Sequence, residues 1–207
     1  MDKIDFKTKL ATLYNAPRRS FATVDVPVMT FVKIDGKGDP NRDPAYKRAV
    51  EWLYSLSYAM KFASKKQDRD YVVRPLEGLW RADDMKAFRT SDKESWRWTM
   101  MIGQPDWIDH AKVAQAIAIQ REKNPSGALD LVRLETLDEG RCVQILHVGS
   151  YDDEAPVLRR LHEEYLPQNG LAPNARHHEI YLSDARRTVP AKLKTILRQP
   201  VQALKRE

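Results

Sequence analysis

The chain has 207 residues and a formal charge of +6, from 35 Lys and Arg against 29 Asp and Glu. Apolar residues make up 42%, charged residues 31%, and the mean hydropathy is −0.61. That composition excludes a disordered chain, and no apolar run approaches the roughly 18–20 residues of a membrane-spanning helix. A single cysteine, Cys142, excludes an internal disulfide and a multi-cysteine zinc site.

Met1 to Lys9 lacks the long apolar stretch of a secretory signal, so a cytoplasmic protein is expected, with no membrane partner. The pI near 9.3 raises nucleic acid as a partner, but the positive residues are interleaved with acids, as in Lys65-Lys66-Gln67-Asp68-Arg69-Asp70. The unbroken basic blocks are pairs only, which argues for a solvated surface and against nucleic-acid binding. Oligomeric state is not readable from these residues.

Residues 1–22 read as a loosely attached lead-in to a single domain over 23–207. Val26 to Ile34 is β-branched and aromatic, stopped by Gly36 and Gly38, and predicts a strand. Asp43-Pro44 opens a helix whose apolar face is Tyr46, Val50, Leu53, Tyr54 and Tyr58. Tyr71 to Trp80 reads as extended, with Pro75 and Gly78 suggesting an edge position, a bulge or a close backbone approach. After a polar loop, Trp96 to Ile102 alternates as a strand, and a second helix follows over Pro105 to Asn124, stopped by Asn124-Pro125-Ser126-Gly127. Leu129–Leu137 and Arg141–Val148, separated by Asp138-Glu139-Gly140, predict a hairpin. Asp152 or Asp153 starts a third helix that Asn169-Gly170 closes, and strands follow at Arg176–Leu182 and Leu193–Val201.

The order strand, helix, strand, strand thus occurs twice, in one unit at about 23–104 and another at about 128–202, bridged by a helix at about 105–124. An α+β fold is expected, of two pseudo-symmetric units with antiparallel sheets and a ligand cleft between them.

Two glutamates fall at similar places in the two units, Glu77 in PLEGLW and Glu179 in HHEIY. Alternation puts His177, Glu179 and Tyr181 on one strand face, and His178 and Ile180 on the other. Which of the two faces is buried stays open from the strand alone. A carboxylate buried among aromatic residues needs a raised pKa or a cation beside it. Tyr58, Trp80, Trp98, Tyr151 and Tyr181 are candidate cleft aromatics, able to stack flat molecules or attract cations. His147, His162, His177 and His178 invite a metal, yet adjacent histidines on a strand diverge and no HExxH motif backs them, so neither metal nor cofactor is expected. Cys142 reads as a packing residue.

The stretches PLEGLW (75–80), ILHVGSYDDE (145–154) and HHEIYLSDARRTVPAKLKTILRQPV (177–201) resemble the GyrI-like small-molecule-binding family. This is the standalone branch, related to the ligand domains of multidrug-sensing regulators such as BmrR and Rob. The resemblance implies two strand–helix–strand–strand units around a cleft, with Glu179 as a buried acid and Tyr181 and Tyr151 as cleft aromatics. Glu77 and Trp80 match the standalone branch, some members of which hydrolyse cyclopropane-bearing electrophiles. Arg81 departs from the branch pattern and is expected to add positive charge near the cleft mouth; Ala185 replaces the usual proline of a turn.

The implied activity is hydrolysis with Glu179, Glu77 and Tyr181 as catalytic groups, and Tyr58, Trp80, Trp98, Tyr151, His147 and His177 around the ligand. The alternative is a binder without chemistry, sequestering its ligand or sensing it together with a separate partner protein.

Overall fold

The computed structural model describes residues 3–82, 95–123 and 127–204. Two short helices, α1 (Phe6–Lys9) and α2 (Ala11–Tyr14), precede strands β1 (Ala22–Val26) and β2 (Met29–Lys37). Helix α3 (Pro44–Lys65) follows, then β3 (Leu76–Ala82), β4 (Trp96–Gln104) and α4 (His110–Lys123). The second half holds β5 (Arg133–Leu137) and β6 (Gly140–Val148), a 3-10 turn at Tyr151–Glu154, and a helical stretch. That stretch runs as α5 (Ala155–Arg159), a π-helical segment (Arg160–Tyr165) and α6 (Leu166–Gln168). Strands β7 (Leu171–Pro173), β8 (His177–Tyr181) and β9 (Lys194–Ala203) complete it.

Helix α3 starts where its cap requires: the Asp43 carboxylate accepts from the Ala45 N–H at 2.7 Å, and Pro44 needs no partner for a missing N–H. Gly170, with φ +63°, takes the left-handed turn that ends α6. The expected stop at Asn124-Pro125-Ser126 and the loop at 83–94 lie outside the described residues.

All pairings among these strands are antiparallel, and the path across the sheet is β5-β2-β4-β3-β8-β9-β6-β1, with β7 added against β9. The two halves therefore share one sheet, joined along β3 and β8. Strand β3 is central, so of the three readings of Pro75 and Gly78 the edge is excluded. The strand begins only after Pro75, which cannot donate to a ladder.

The expected hairpin does not form. Strand β6 has both edges taken, by β1 and β9, and β5 crosses to the outer edge of β2. Gly140 makes the redirection at φ +57°, and Glu139 is drawn into a buried ion cluster. Each half thus lends its leading strand to the other.

One face of the sheet carries α3, which buries Trp52, Leu53, Leu56 and Met60 against Val32, Ile34, Met100 and Ile102. Further along the same face, Leu161 and Leu166 pack on Val143 and Val201. The opposite face is covered by the N-terminal segment: Leu13, Tyr14 and Ala16 pack with Phe31, Leu79, Met101, Cys142, Ile180 and Ile196. Residues 11–16, expected to hang loosely, instead close this second core. Among the described residues no helix is long and apolar enough to cross a membrane.

Candidate functional site

Helix α3 covers β2 and β4, and the 155–168 stretch covers the β6 and β9 side, so the β3–β8 seam between them floors a groove. Register decides which side chains reach that floor. Leu76 pairs with Tyr181, Gly78 with Glu179, and Trp80 with His177, which places these residues on the groove face. Glu77 pairs with Ile180 and Leu79 with His178, on the other face.

Glu179 is the centre of the groove. The Tyr181 hydroxyl donates to Glu179 Oε2 at 2.8 Å, and Trp80 Nε1 donates to the Tyr181 oxygen at 2.9 Å. Burial pushes the Glu179 carboxyl up to about 7, against the lowering influence of the Tyr181 hydroxyl. Tyr181 itself is held well above the ordinary phenol range by burial and by the Glu179 charge. Tyr151 stands edge-on to Tyr181, ring centroids 5.8 Å apart, and is 40% exposed at the groove mouth. His177 Nε2 lies 3.8 Å from Glu179 Oε1. Burial, with His162 and His178 nearby, holds His177 down at about 3, so its ring is neutral at pH 7.

Two residues of the site were missed from sequence. Glu154, at the end of the 3-10 turn, is 4% exposed with Oε1 lacking a hydrogen-bond partner. Burial and the Glu179 charge push its carboxyl well above the usual range. Tyr46, from the first turn of α3, hydrogen-bonds with Tyr181 and lies near Trp80 and Trp98, ring centroids 6.3 and 5.2 Å away. Glu154 reads in sequence as a first-turn helix acid, and Tyr46 as one of five residues on an apolar helix face. Nothing in their local pattern separates either from that role.

Glu77 is a correction. It faces the N-terminal segment, 1% exposed, with Tyr14 donating to Oε1 at 3.1 Å and His178 Nε2 2.9 Å from Oε2. His178 Nδ1 meets Glu139 Oε1 at 2.9 Å, and Arg198 Nη1 lies 3.6 Å from Glu139 Oε2. Despite burial, the two carboxylates push His178 up to about 9, making it an imidazolium. Two anions and two cations thus compensate one another, and Glu77 is part of this buried cluster and not of the groove.

Four further expectations shift. Trp98 is 2% exposed, its ring pressed over Gly36, and lies behind Tyr46 in the core. Tyr58 stands on the solvent side of α3, stacked between Tyr54 and Phe62. His147 Nε2 meets the Ser150 carbonyl oxygen at 3.0 Å and so fixes the loop carrying Tyr151 without reaching Glu179. Arg81 pairs with Arg97 on the far face, away from the groove. Cys142 is buried, its thiol pushed up to about 12, as suits a packing residue. Among the described residues no three His, Cys, Asp or Glu side chains could hold one metal ion.

A groove floored by a carboxyl of near-neutral pKa and walled by tyrosine and tryptophan, on a sheet duplicated about its central seam, defines a small-molecule-binding domain. The GyrI-like small molecule binding domain matches residues 21–202, and the chain belongs to that family. No curated protein matches it. Among solved structures it is similar to an uncharacterized conserved protein from Listeria innocua, at 36% identity and TM-score 0.88. A hydrolase from Listeria innocua is also 36% identical, with TM-score 0.84; in both cases 97% of this chain and 100% of the other are covered. The EcmrR C-terminal domain, at 11% identity and TM-score 0.56 over 89% of this chain and 98% of that one, shares the fold.

Proposed function

We propose that this protein binds flat apolar or cationic small molecules on the β3–β8 floor and hydrolyses strained-ring, cyclopropane-type electrophiles with Glu179 as general base. The observation that carries the reading is the Glu179 carboxyl, held at about 7 beneath aromatic walls with Tyr181 donating to it. A base of that pKa is half ionised at neutral pH and still strong enough to take a proton from water. In the step envisaged, Glu179 takes one proton from a water, and the water oxygen bonds to the electrophilic ring carbon. The breaking ring bond leaves its electron pair on the substrate, where Tyr151 hydrogen-bonds the developing anion. Glu154, kept protonated by its surroundings, returns a proton to that anion. The 36% identity to a Listeria innocua hydrolase supports an enzymatic reading.

The deciding variant is Glu179→Gln, assayed with a strained-ring electrophile by mass spectrometry and with a cationic dye by fluorescence. Turnover should drop by about 10²–10⁴-fold while the neutral electrophile still binds. Turnover at the wild-type rate would remove Glu179 from the chemistry. Absence of turnover in the wild type, with dye binding lost on substitution, would leave a binder that uses Glu179 as a counter-charge.

A further inference from the structure

His177 lies on the groove face of β8, two residues before Glu179, with only 10% of its side chain exposed. A polar group taken out of water normally finds a hydrogen-bond partner. His178 has a carboxylate at each ring nitrogen, and His147 has the Ser150 carbonyl. Neither ring nitrogen of His177 has a hydrogen-bond partner among the described residues. Nor does the ring serve as a counter-ion, since burial and the neighbouring His162 and His178 keep it neutral at pH 7. A leucine would fill a similar volume without stranding two nitrogens, so packing alone does not account for an imidazole here.

Its position beside Glu179 does. Tyr181 occupies Glu179 Oε2, so the oxygen left to take a proton is Oε1, and that is the oxygen nearest His177 Nε2. The 3.8 Å between Nε2 and Oε1 is too long for a direct hydrogen bond. It suits a single oxygen atom lying about 2.7–3.0 Å from both. A neutral imidazole carries one N–H, and beside a carboxylate the tautomer protonated at Nε2 is favoured. Nε2 then donates toward the shared point and Oε1 accepts from it, which is the pair of partners that a water molecule needs.

We infer that His177 and Glu179 together seat the water that the proposed hydrolysis consumes, which makes His177 a further catalytic residue; the inference rests on that hydrolytic reading. The water accepts from His177 Nε2–H through one lone pair and attacks the electrophilic ring carbon with the other, while one of its protons passes to Glu179 Oε1. The ring bond breaks with its electron pair on the substrate, which Glu154 protonates. His177 keeps its own proton throughout and fixes the direction of attack.

The test is steady-state hydrolysis of a spiro-cyclopropyl cyclohexadienone by the full-length protein, with urea unfolding and a crystal structure of each variant. His177→Leu should lower kcat about 10–100-fold at nearly unchanged KM. His177→Gln retains an N–H donor and should fall between that variant and the wild type. The urea midpoint of His177→Leu should equal or exceed that of the wild type, because the ring has no hydrogen bond to lose. The wild-type crystal should hold a water within hydrogen-bond distance of both His177 Nε2 and Glu179 Oε1, and the His177→Leu crystal should lack it. With the wild type active, an unchanged kcat in His177→Leu, an effect confined to KM, a lowered urea midpoint, or no water at that point would each overturn the inference and leave the hydrolytic reading standing. A wild type that hydrolyses nothing would overturn both.

Discussion

Glu179 sits where burial and hydrogen bonding oppose each other, and burial prevails: the Tyr181 donor lowers its pKa, yet the carboxyl stays at about 7. The shift has a sign for stability as well as for catalysis. The folded protein keeps the Glu179 proton up to about 7, while an ordinary glutamate releases it near 4.5. The contribution is therefore fully present below 4.5 and lost as pH rises through 7. Glu179→Gln should accordingly raise the stability at pH 8 by about 1–3 kcal/mol and change it little at pH 4, read by urea unfolding at both pH values. Alternation along HHEIY put Glu179 with Tyr181 and His177 on one face, and that grouping is what the site contains. Glu77 was legible only as a glutamate in a similar stretch. Its position in register differs from that of Glu179 by one residue, and one residue along a strand exchanges the two faces.

At the scale of elements, the β3–β8 seam has a different occupant on each side. On the groove side, a Cβ at Gly78 would lie 2.9 Å from the Tyr181 oxygen and 3.0 Å from Trp80 Nε1. Glycine there lets the hydrogen-bonded chain Trp80–Tyr181–Glu179 lie flat on the strand. Gly78→Ala should displace Tyr181, destabilise the protein by about 1–3 kcal/mol and reduce ligand affinity, measurable by thermal melting and dye titration. The sequence narrowed Gly78 to an edge, a bulge or a close approach; the partner of that approach comes from β8, a hundred residues away.

On the far side, His178 bridges Glu77 and Glu139. Its folded pKa of about 9 exceeds the ordinary 6.5, so its stabilisation is complete below 6.5 and disappears as pH rises through 9. His178→Leu leaves two buried carboxylates short of a cation and should cost about 3–5 kcal/mol at pH 6. It should also flatten the fall in melting temperature between pH 6.5 and 9. His178 read in sequence as one of a histidine pair, because Glu139 approaches from a turn that local patterning assigns to a hairpin.

The whole molecule is tied together by segments whose own sequences say little about their destinations. The duplicated order of strands and helices was visible in hydrophobic periodicity, and it fixes the arrangement of β2, β3 and β4 beside β6, β8 and β9. The exchange of β1 and β5 between halves was not visible, since five-residue strands pair wherever an edge is open. The N-terminal segment is the extreme case: α2 has four residues, too short to show a periodic face. Yet Leu13 is 2% exposed against the far-face core, and its carbonyl accepts from Arg198 Nη2 at 2.7 Å. Tyr14 from the same turn donates to Glu77, so the segment both seals the apolar cluster and completes the ion cluster. Leu13→Ala keeps the backbone carbonyl and removes only the packing, so it isolates the first of these roles. A loss of about 2–5 kcal/mol is expected, as a lower urea midpoint at unchanged slope. A loss below about 0.5 kcal/mol, the size of an ordinary surface substitution, would mean that residues 11–16 rest on the sheet without stabilising it. Because the groove lies on the opposite face, ligand affinity in the folded variant should stay at the wild-type value.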